Sequence, residues 1–235
     1  MNKVIVITGG SKGIGKAIVH KFAENGFDVI TCARNEKDLL KLKQEVEQKN
    51  DGITVYTKKV DMAVKAEVFA FYDFIQAIHK PIEILINNAG IFLPGEIANE
   101  PEGNLERMIN TNLYSAYYLT RALLPSMLQV KRGDIFNICS VASIMPYANG
   151  GSYSISKYAI YGMTKVLREE MKPHGIRVTA VLPGATRTSS WDGVDLPASR
   201  FIKSEDVADA IYGVHRLSSH AVVEEILIRP QKGDI

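Results

Sequence analysis

The sequence has little of what marks a secreted, membrane-bound or nucleic-acid-binding protein. Its 235 residues include only two cysteines, Cys32 and Cys139, too few for a disulfide framework and suited to a reducing compartment. No apolar run approaches the roughly 18 residues that a membrane span needs. The first residues carry one lysine and the short run Val4–Ile7 before glycines intervene, which predicts no secretory leader. Charge is nearly balanced, with 28 basic and 26 acidic residues for a net +2, so neither nucleic acid nor an anionic membrane finds a basic footprint. Low-complexity tracts, charge blocks and solenoid-period repeats are also missing. What is there, at 46% hydrophobic and 23% charged, predicts a compact cytoplasmic chain, read as one domain over residues 1–235.

Within that domain, short β-branched runs alternate with longer amphipathic stretches. Strands are expected at Val4–Ile7, Val29–Cys32, Ile53–Val60, Ile82–Ile86, Asp134–Ile138, Ile176–Val181 and Val222–Ile228. Helices are expected at Lys12–Asn25, Glu36–Gln48, Ala63–His79, Leu105–Val130, Ser152–Met171 and Glu205–Leu217. Strands this apolar, separated by helices, require a parallel sheet covered on both faces, an α/β doubly wound fold with seven strands. Strands two and five then lie two strands apart, placing Cys32 and Cys139 roughly 14 Å from each other and beyond disulfide reach. They are expected to be buried thiols.

The first turn reads Thr8-Gly9-Gly10-Ser11-Lys12-Gly13-Ile14-Gly15 and lies between a strand and a helix. There a nucleotide pyrophosphate meets helix N–H groups and the positive end of the dipole. A side chain at Gly9 or Gly13 would obstruct the turn or the phosphate, and one at Gly15 would obstruct helix–sheet packing. An NAD site places an acid at the end of the second strand to accept from a ribose hydroxyl. Here that strand ends Cys32-Ala33-Arg34, and Arg34 with Lys12 offers two cations to a 2′-phosphate. NADP(H) is the expected cofactor. His174, His215 and His220 are read as having no cluster of acids or thiols around them, and no metal site is expected.

The spacing Gly-x-x-x-Gly-x-Gly, the run Asn87-Asn88-Ala89-Gly90 and the segment Tyr153-Ser-Ile-Ser-Lys157 together resemble the classical short-chain dehydrogenase/reductase family, from Lys3 to about Pro230. The flavour is similar to the 3-oxoacyl-[acyl-carrier-protein] reductase type. The resemblance implies a tetrad of Asn112, Ser140, Tyr153 and Lys157. Tyr153 would be the general acid toward a carbonyl oxygen, and Ser140 would hold that oxygen. Lys157, one helical turn on, would lower the tyrosine's pKa and hold the ribose, with a water at Asn112 relaying protons. The same resemblance implies that Asp61 accepts from the adenine amino group, although an aspartate capping the next helix is the plainer alternative. Asn88 is implied near the ribose, and Pro183, Gly184, Thr186 and Thr188 at the nicotinamide carboxamide. Tyr161 and Lys165 repeat the Tyr-x-x-x-Lys spacing and are read as packing.

A substrate lid is expected over about 188–203, with Trp191, Leu196 and Phe201 as apolar contacts and Gly193 as hinge. Arg187 or Arg200 could attract an acidic carrier, and Ile91–Pro94 could form a further wall. The expected activity is hydride transfer from NADPH to a ketone carbonyl, including a 3-oxoacyl thioester. A secondary-alcohol dehydrogenase, a pteridine-type reductase and a catalytically silent NADP sensor are the alternatives. The expected partners are a small-molecule carbonyl or alcohol and other copies of the chain, as a homodimer or homotetramer paired through the two long helices.

Overall fold

The seven apolar runs all become strands of one parallel sheet in the computed structural model, which describes residues 2–188, 191 and 193–235. The strands are β1 (Lys3–Thr8), β2 (Phe27–Ala33), β3 (Val55–Lys59), β4 (Ile82–Asn87), β5 (Gly133–Ile138), β6 (Ile176–Pro183) and β7 (Glu225–Ile228). Their order is β3-β2-β1-β4-β5-β6-β7. Helices α1 (Gly13–Ala23), α2 (Glu36–Lys49), α3 (Lys65–Gln76), α4 (Asn104–Ile109), α5 (Ser115–Val130), α6 (Gly151–Met171) and α7 (Ser204–His215) cover both faces. This is the expected Rossmann-like doubly wound domain. Side chains alternate along each strand, so Ile5 and Ile7 join the core under α1 and α7 while Val4 and Val6 join the core under α3, α5 and α6.

The strand order reverses between β1 and β4. Their carboxyl ends therefore diverge and open a crevice, where doubly wound sheets bind ligands. Cys32 and Cys139 lie at the ends of β2 and β5 with β1 and β4 between them, both free and buried. Burial pushes their thiols up to about 12 and about 11, respectively.

One expected element is divided. The stretch read as a single helix over Leu105–Val130 is α4 and α5 joined by a π-helical turn, Asn110–Tyr114. Within that turn the Asn112 side chain bonds outside its own helix, to Ile91 and Ser156, as π-helical turns at sites often do.

The reading of His215 as remote from acids is corrected by the fold. At the amino end of the sheet its Nδ1 lies 2.6 Å from Asp134 Oδ2, and its Nε2 lies 3.9 Å from Glu83. Arg177 donates to both oxygens of Asp134 at 2.6 and 2.8 Å, and to the carbonyls of His215 and Leu217. The cluster ties the end of α7 to β5 and β6. Among the described residues, no group of three metal-ligating side chains forms a cation site, and no helix is long and apolar enough to cross a membrane.

Candidate active site in the carboxyl-end cleft

A cleft of about 960 Å³ opens above the carboxyl ends of β1, β2, β4, β5 and β6. Gly9, Ser11, Lys12, Gly13, Ile14 and Gly15 line one wall, and the glycines have concrete reasons to be there. Gly9 and Gly13 have φ of +71° and +52°, a region that favours glycine. A Cβ on Gly15 would sit 2.2 Å from the Gly9 carbonyl oxygen, and one on Gly10 would sit 2.2 Å from Thr31 Oγ1. The close approach of loop to sheet is thus at Gly10, whereas Gly15 is small because the loop folds back on the first turn of α1. This corrects the expected role of Gly15. The N-cap of α1, Lys12, supplies no side-chain cap, and the first turn contains no acid, so no side chain of that turn neutralises its N–H groups. A glycine cradle at an uncapped helix start fits the pyrophosphate of a dinucleotide.

Asn88 links this loop to the rest of the cleft. Its Nδ2 donates to the carbonyls of Thr8 and Gly9 at 2.8 and 3.0 Å, while Thr8 Oγ1 accepts from the Asn88 and Ala89 amides. The amide side chain is thus committed to the turn. Beneath it, Asn87 donates to Thr120 and Asn137, and Asn137 donates to Thr164, a buried polar ladder joining α5, β4, β5 and α6.

At the other end of the cleft lie Arg34, Asp61 and Asp38. Asp61 does not cap α3, whose N-cap is Val64. Its Oδ1 accepts instead from the Ala63 amide at 2.9 Å in a tight turn. Asp38 was not among the expected residues. It stands in the first turn of α2 with Oδ2 at 2.9 Å from Lys12 Nζ, so Lys12 is paired with an acid.

Ser140, Tyr153 and Lys157 converge where β5 ends and α6 begins. Ser140 follows β5, accepts from the Ala142 amide at 3.1 Å, and lies beside the Tyr153 phenol. Burial pushes the Tyr153 phenol up, and the Ser140 hydroxyl offsets part of that rise. Lys157 is 5% exposed and donates to the Ile138 carbonyl at 2.9 Å, with Nζ 5.7 Å from the Tyr153 ring centre. Burial lowers it to about 8. Lys157 is not among the groups that lower Tyr153: removal from water acts on both, raising the phenol and lowering the ammonium, which still carries its charge at neutral pH.

Asn112 is fully buried, and its side chain is occupied. Oδ1 accepts from the Ile91 amide at 2.8 Å, while Nδ2 donates to the Ile91 carbonyl and Ser156 Oγ at 3.0 and 2.9 Å. It pins the loop after β4 to α6. That loop carries Phe92, whose ring meets Tyr153 edge to face with centres 4.9 Å apart.

Pro183, Gly184, Thr186 and Thr188 line the cleft beyond β6, and a Cβ on Gly13 would touch Thr188 at 2.9 Å. Two loops distant in sequence therefore meet at the glycine turn. Of the expected lid, residues 189, 190 and 192 lie outside the described residues. Trp191 and Val194 line the cleft, and Trp191 packs on buried Phe201, whereas Leu196 and Gly193 are not among the lining residues. The two arginines are engaged elsewhere: Arg187 stacks 5.2 Å over Phe201, and Arg200 donates to the Asp234 carbonyl at 3.2 Å. Met145, Tyr147, Asp234 and Ile235 complete the wall, none of them expected from a local motif. Tyr161 and Lys165, by contrast, reach Glu225 of β7 and stay out of the cleft.

The fold and this cleft define a class: doubly wound dinucleotide-binding domains with a serine, tyrosine and lysine at the carboxyl end of the sheet. Residues 3–196 match the short chain dehydrogenase family model, and the chain belongs to that family. It is similar to an uncharacterized oxidoreductase of Staphylococcus saprophyticus (33% identical, 97% of each chain covered) and to a sepiapterin reductase of Chlorobaculum tepidum (32% identical, 100% of this chain and 99% of the other). Among solved structures, it is similar to a metagenomic short-chain oxidoreductase in complex with NADP (TM-score 0.85, 30% identical, 97% of each chain).

Proposed function

We propose that this protein is an NADPH-dependent oxidoreductase that reduces a ketone carbonyl. The observation that carries the reading is the convergence of Ser140, Tyr153 and Lys157 beside a glycine cradle at the carboxyl end of the sheet. The NADP complex of the solved relative supports the cofactor. Gly9 to Gly15 and the start of α1 would hold the pyrophosphate. Arg34 and Lys12 would face the 2′-phosphate, Asp61 the adenine, and the 183–188 loop the nicotinamide. The cofactor supplies hydride to the carbonyl carbon.

The chain's own residues do the rest. Tyr153, held protonated by its burial, donates its phenolic proton to the carbonyl oxygen. Ser140 orients the phenol and donates to the same oxygen as charge develops. Lys157, buried against Ile138, brings its charge toward the tyrosinate that forms. Asn112 holds the Ile91–Pro94 wall against α6, and Phe92 keeps the Tyr153 ring in place. A pteridine ketone is the second reading, favoured by the sepiapterin reductase relative. The apolar wall of Phe92, Met145, Trp191 and Val194 suits either a planar heterocycle or an acyl chain.

NADPH absorbance loss over a panel of ketones, a 3-oxoacyl thioester and a pteridine ketone tests the reading. Tyr153→Phe is expected to lose roughly 10²–10⁴-fold in kcat while NADPH still binds. Turnover that survives in this variant would overturn the assignment of the acid. We further propose that the protein is a cytoplasmic homo-oligomer paired through α5 and α6, where Tyr117 and Tyr158, with Tyr114 just before α5, are each more than 40% exposed. Light scattering that gave a strict monomer at micromolar concentration would refute the pairing.

A further inference from the structure

The cations expected to receive a 2′-phosphate are not equally available. Lys12 stands at the start of α1, on the rim of the phosphate loop, with its side chain 66% exposed. Asp38 stands across the cleft in the first turn of α2 and is 29% exposed. The two partners differ in how firmly they are held. The Asp38 amide donates to the Asn35 side chain that caps α2, and the next residue, Leu39, is buried in the core. Its carboxylate also lies at the positive end of the helix, where a negative charge is favoured. Asp38 is therefore the anchored partner, and Lys12 is the long side chain that comes to meet it. Asp38 Oδ2 is buried and faces Lys12 Nζ at 2.9 Å, so it becomes an acceptor for another donor when the exposed Lys12 side chain moves away.

We propose that Asp38 sets the cofactor selectivity of this protein. Its carboxylate competes with the 2′-phosphate for Lys12, repels that phosphate, and offers an acceptor to a 2′-hydroxyl in its place. Arg34, which makes no ion pair among the described residues, is then the main phosphate anchor. The inference rests on the proposed placement of the adenosine end at Arg34 and extends it. A site for NAD carries an acid after the second strand. Here β2 ends without one, and Asp38 enters the same end of the cleft from α2. The chain thus holds one residue suited to each cofactor, Arg34 for the phosphate and Asp38 for the hydroxyl, and discrimination between them is correspondingly narrow.

Calorimetric titration of the protein with NADP+ and NAD+, which differ only in the 2′-phosphate, tests the proposal without turnover. Asp38→Asn is expected to tighten NADP+ about tenfold and weaken NAD+ about threefold, the size expected of one partly exposed charge. Lys12→Met is expected to cost NADP+ affinity less than about threefold in the native background but about tenfold in Asp38→Asn. That non-additivity is the signature of competition. Equal shifts for both cofactors in Asp38→Asn, or the same Lys12→Met cost in both backgrounds, would overturn the proposal while leaving the phosphate site intact. Failure of the site itself has a different signature: Arg34→Ala and Lys12→Met would both leave the NADP+/NAD+ affinity ratio unchanged, and the role of Asp38 would fall with it. Thermal melts of each variant with no nucleotide added separate these outcomes from misfolding.

Discussion

Lys157 shows how a single buried charge controls this site. Removing an ammonium from water costs several kcal/mol unless it is paired, and the partner it finds here is a neutral carbonyl, Ile138, at 2.9 Å. Its pKa consequently falls to about 8, while Tyr153 is raised and stays protonated through neutral pH. A reduction that uses the phenolic proton and the lysine charge therefore declines as Lys157 loses its proton. The profile of kcat/KM for ketone reduction against pH is expected to be flat below neutrality and to fall with an apparent pKa near 8. A profile that stays level past pH 10 would show that the lysine charge plays no part. The tyrosine itself was legible through the family resemblance that its segment carries, since its spacing to Lys157 alone recurs at Tyr161 and Lys165. The direction of its shift was not, because desolvation depends on what the fold packs around it.

At the scale of elements, the π-helical turn at Asn110–Tyr114 interrupts the helical stretch where Asn112 holds the cleft wall. An asparagine in the middle of an amphipathic stretch reads as a polar residue of ordinary helix propensity. Its three bonds to Ile91 and Ser156 come from segments 21 and 44 residues away, so no local pattern signals them. Asn112→Ala would leave the Ile91 amide and carbonyl without their partner. It is expected to lower stability by about 1–3 kcal/mol, read as a shift in the urea midpoint. It should also depress kcat more than KM, since Phe92 would lose its fixed position beside Tyr153. Unchanged stability with full activity would mean that the loop holds its place by apolar packing alone. The glycines of the phosphate turn follow the same division. Their existence was plain in the sequence, but the close approach to the sheet falls on Gly10 and not on Gly15, because each clash is decided by a particular atom: Thr31 Oγ1 for Gly10 and the Gly9 carbonyl for Gly15.

The whole molecule is closed at its amino end by the Asp134–Arg177–His215 cluster, far in sequence from any motif. Burial, the largest single effect, pushes the Asp134 carboxyl up, but the hydrogen bonds from His215 and Arg177 together outweigh it and hold the carboxyl below its ordinary value of 3.8. A carboxylate depressed on folding adds stability that is complete above the unfolded value and is lost as pH falls through the folded one. Acid unfolding is therefore expected to draw on this cluster below about pH 4. Asp134→Asn should cost roughly 3–5 kcal/mol at neutral pH, because Arg177 would remain largely buried without its counter-charge. Denaturant titration at pH 7 and at pH 3 measures both, and the difference between native and variant should shrink at the lower pH. An equal difference at both values would remove the cluster from the acid limb.

The sequence by itself determined the sheet, its two-sided cover and the position of the glycine turn. These follow from local periodicity and from glycine at a strand-to-helix junction, and both are properties of neighbouring residues. It also determined which residue types were available for proton transfer. Only the tertiary structure decided how those residues behave. It raised Tyr153 and lowered Lys157, tied Asn112 to a loop, brought Asp234 and Ile235 to the cleft, and placed Asp38 beside Lys12. Each of these depends on burial or on contact between segments far apart in the chain. Burial and long-range contact exist only once the crevice between β1 and β4 has formed.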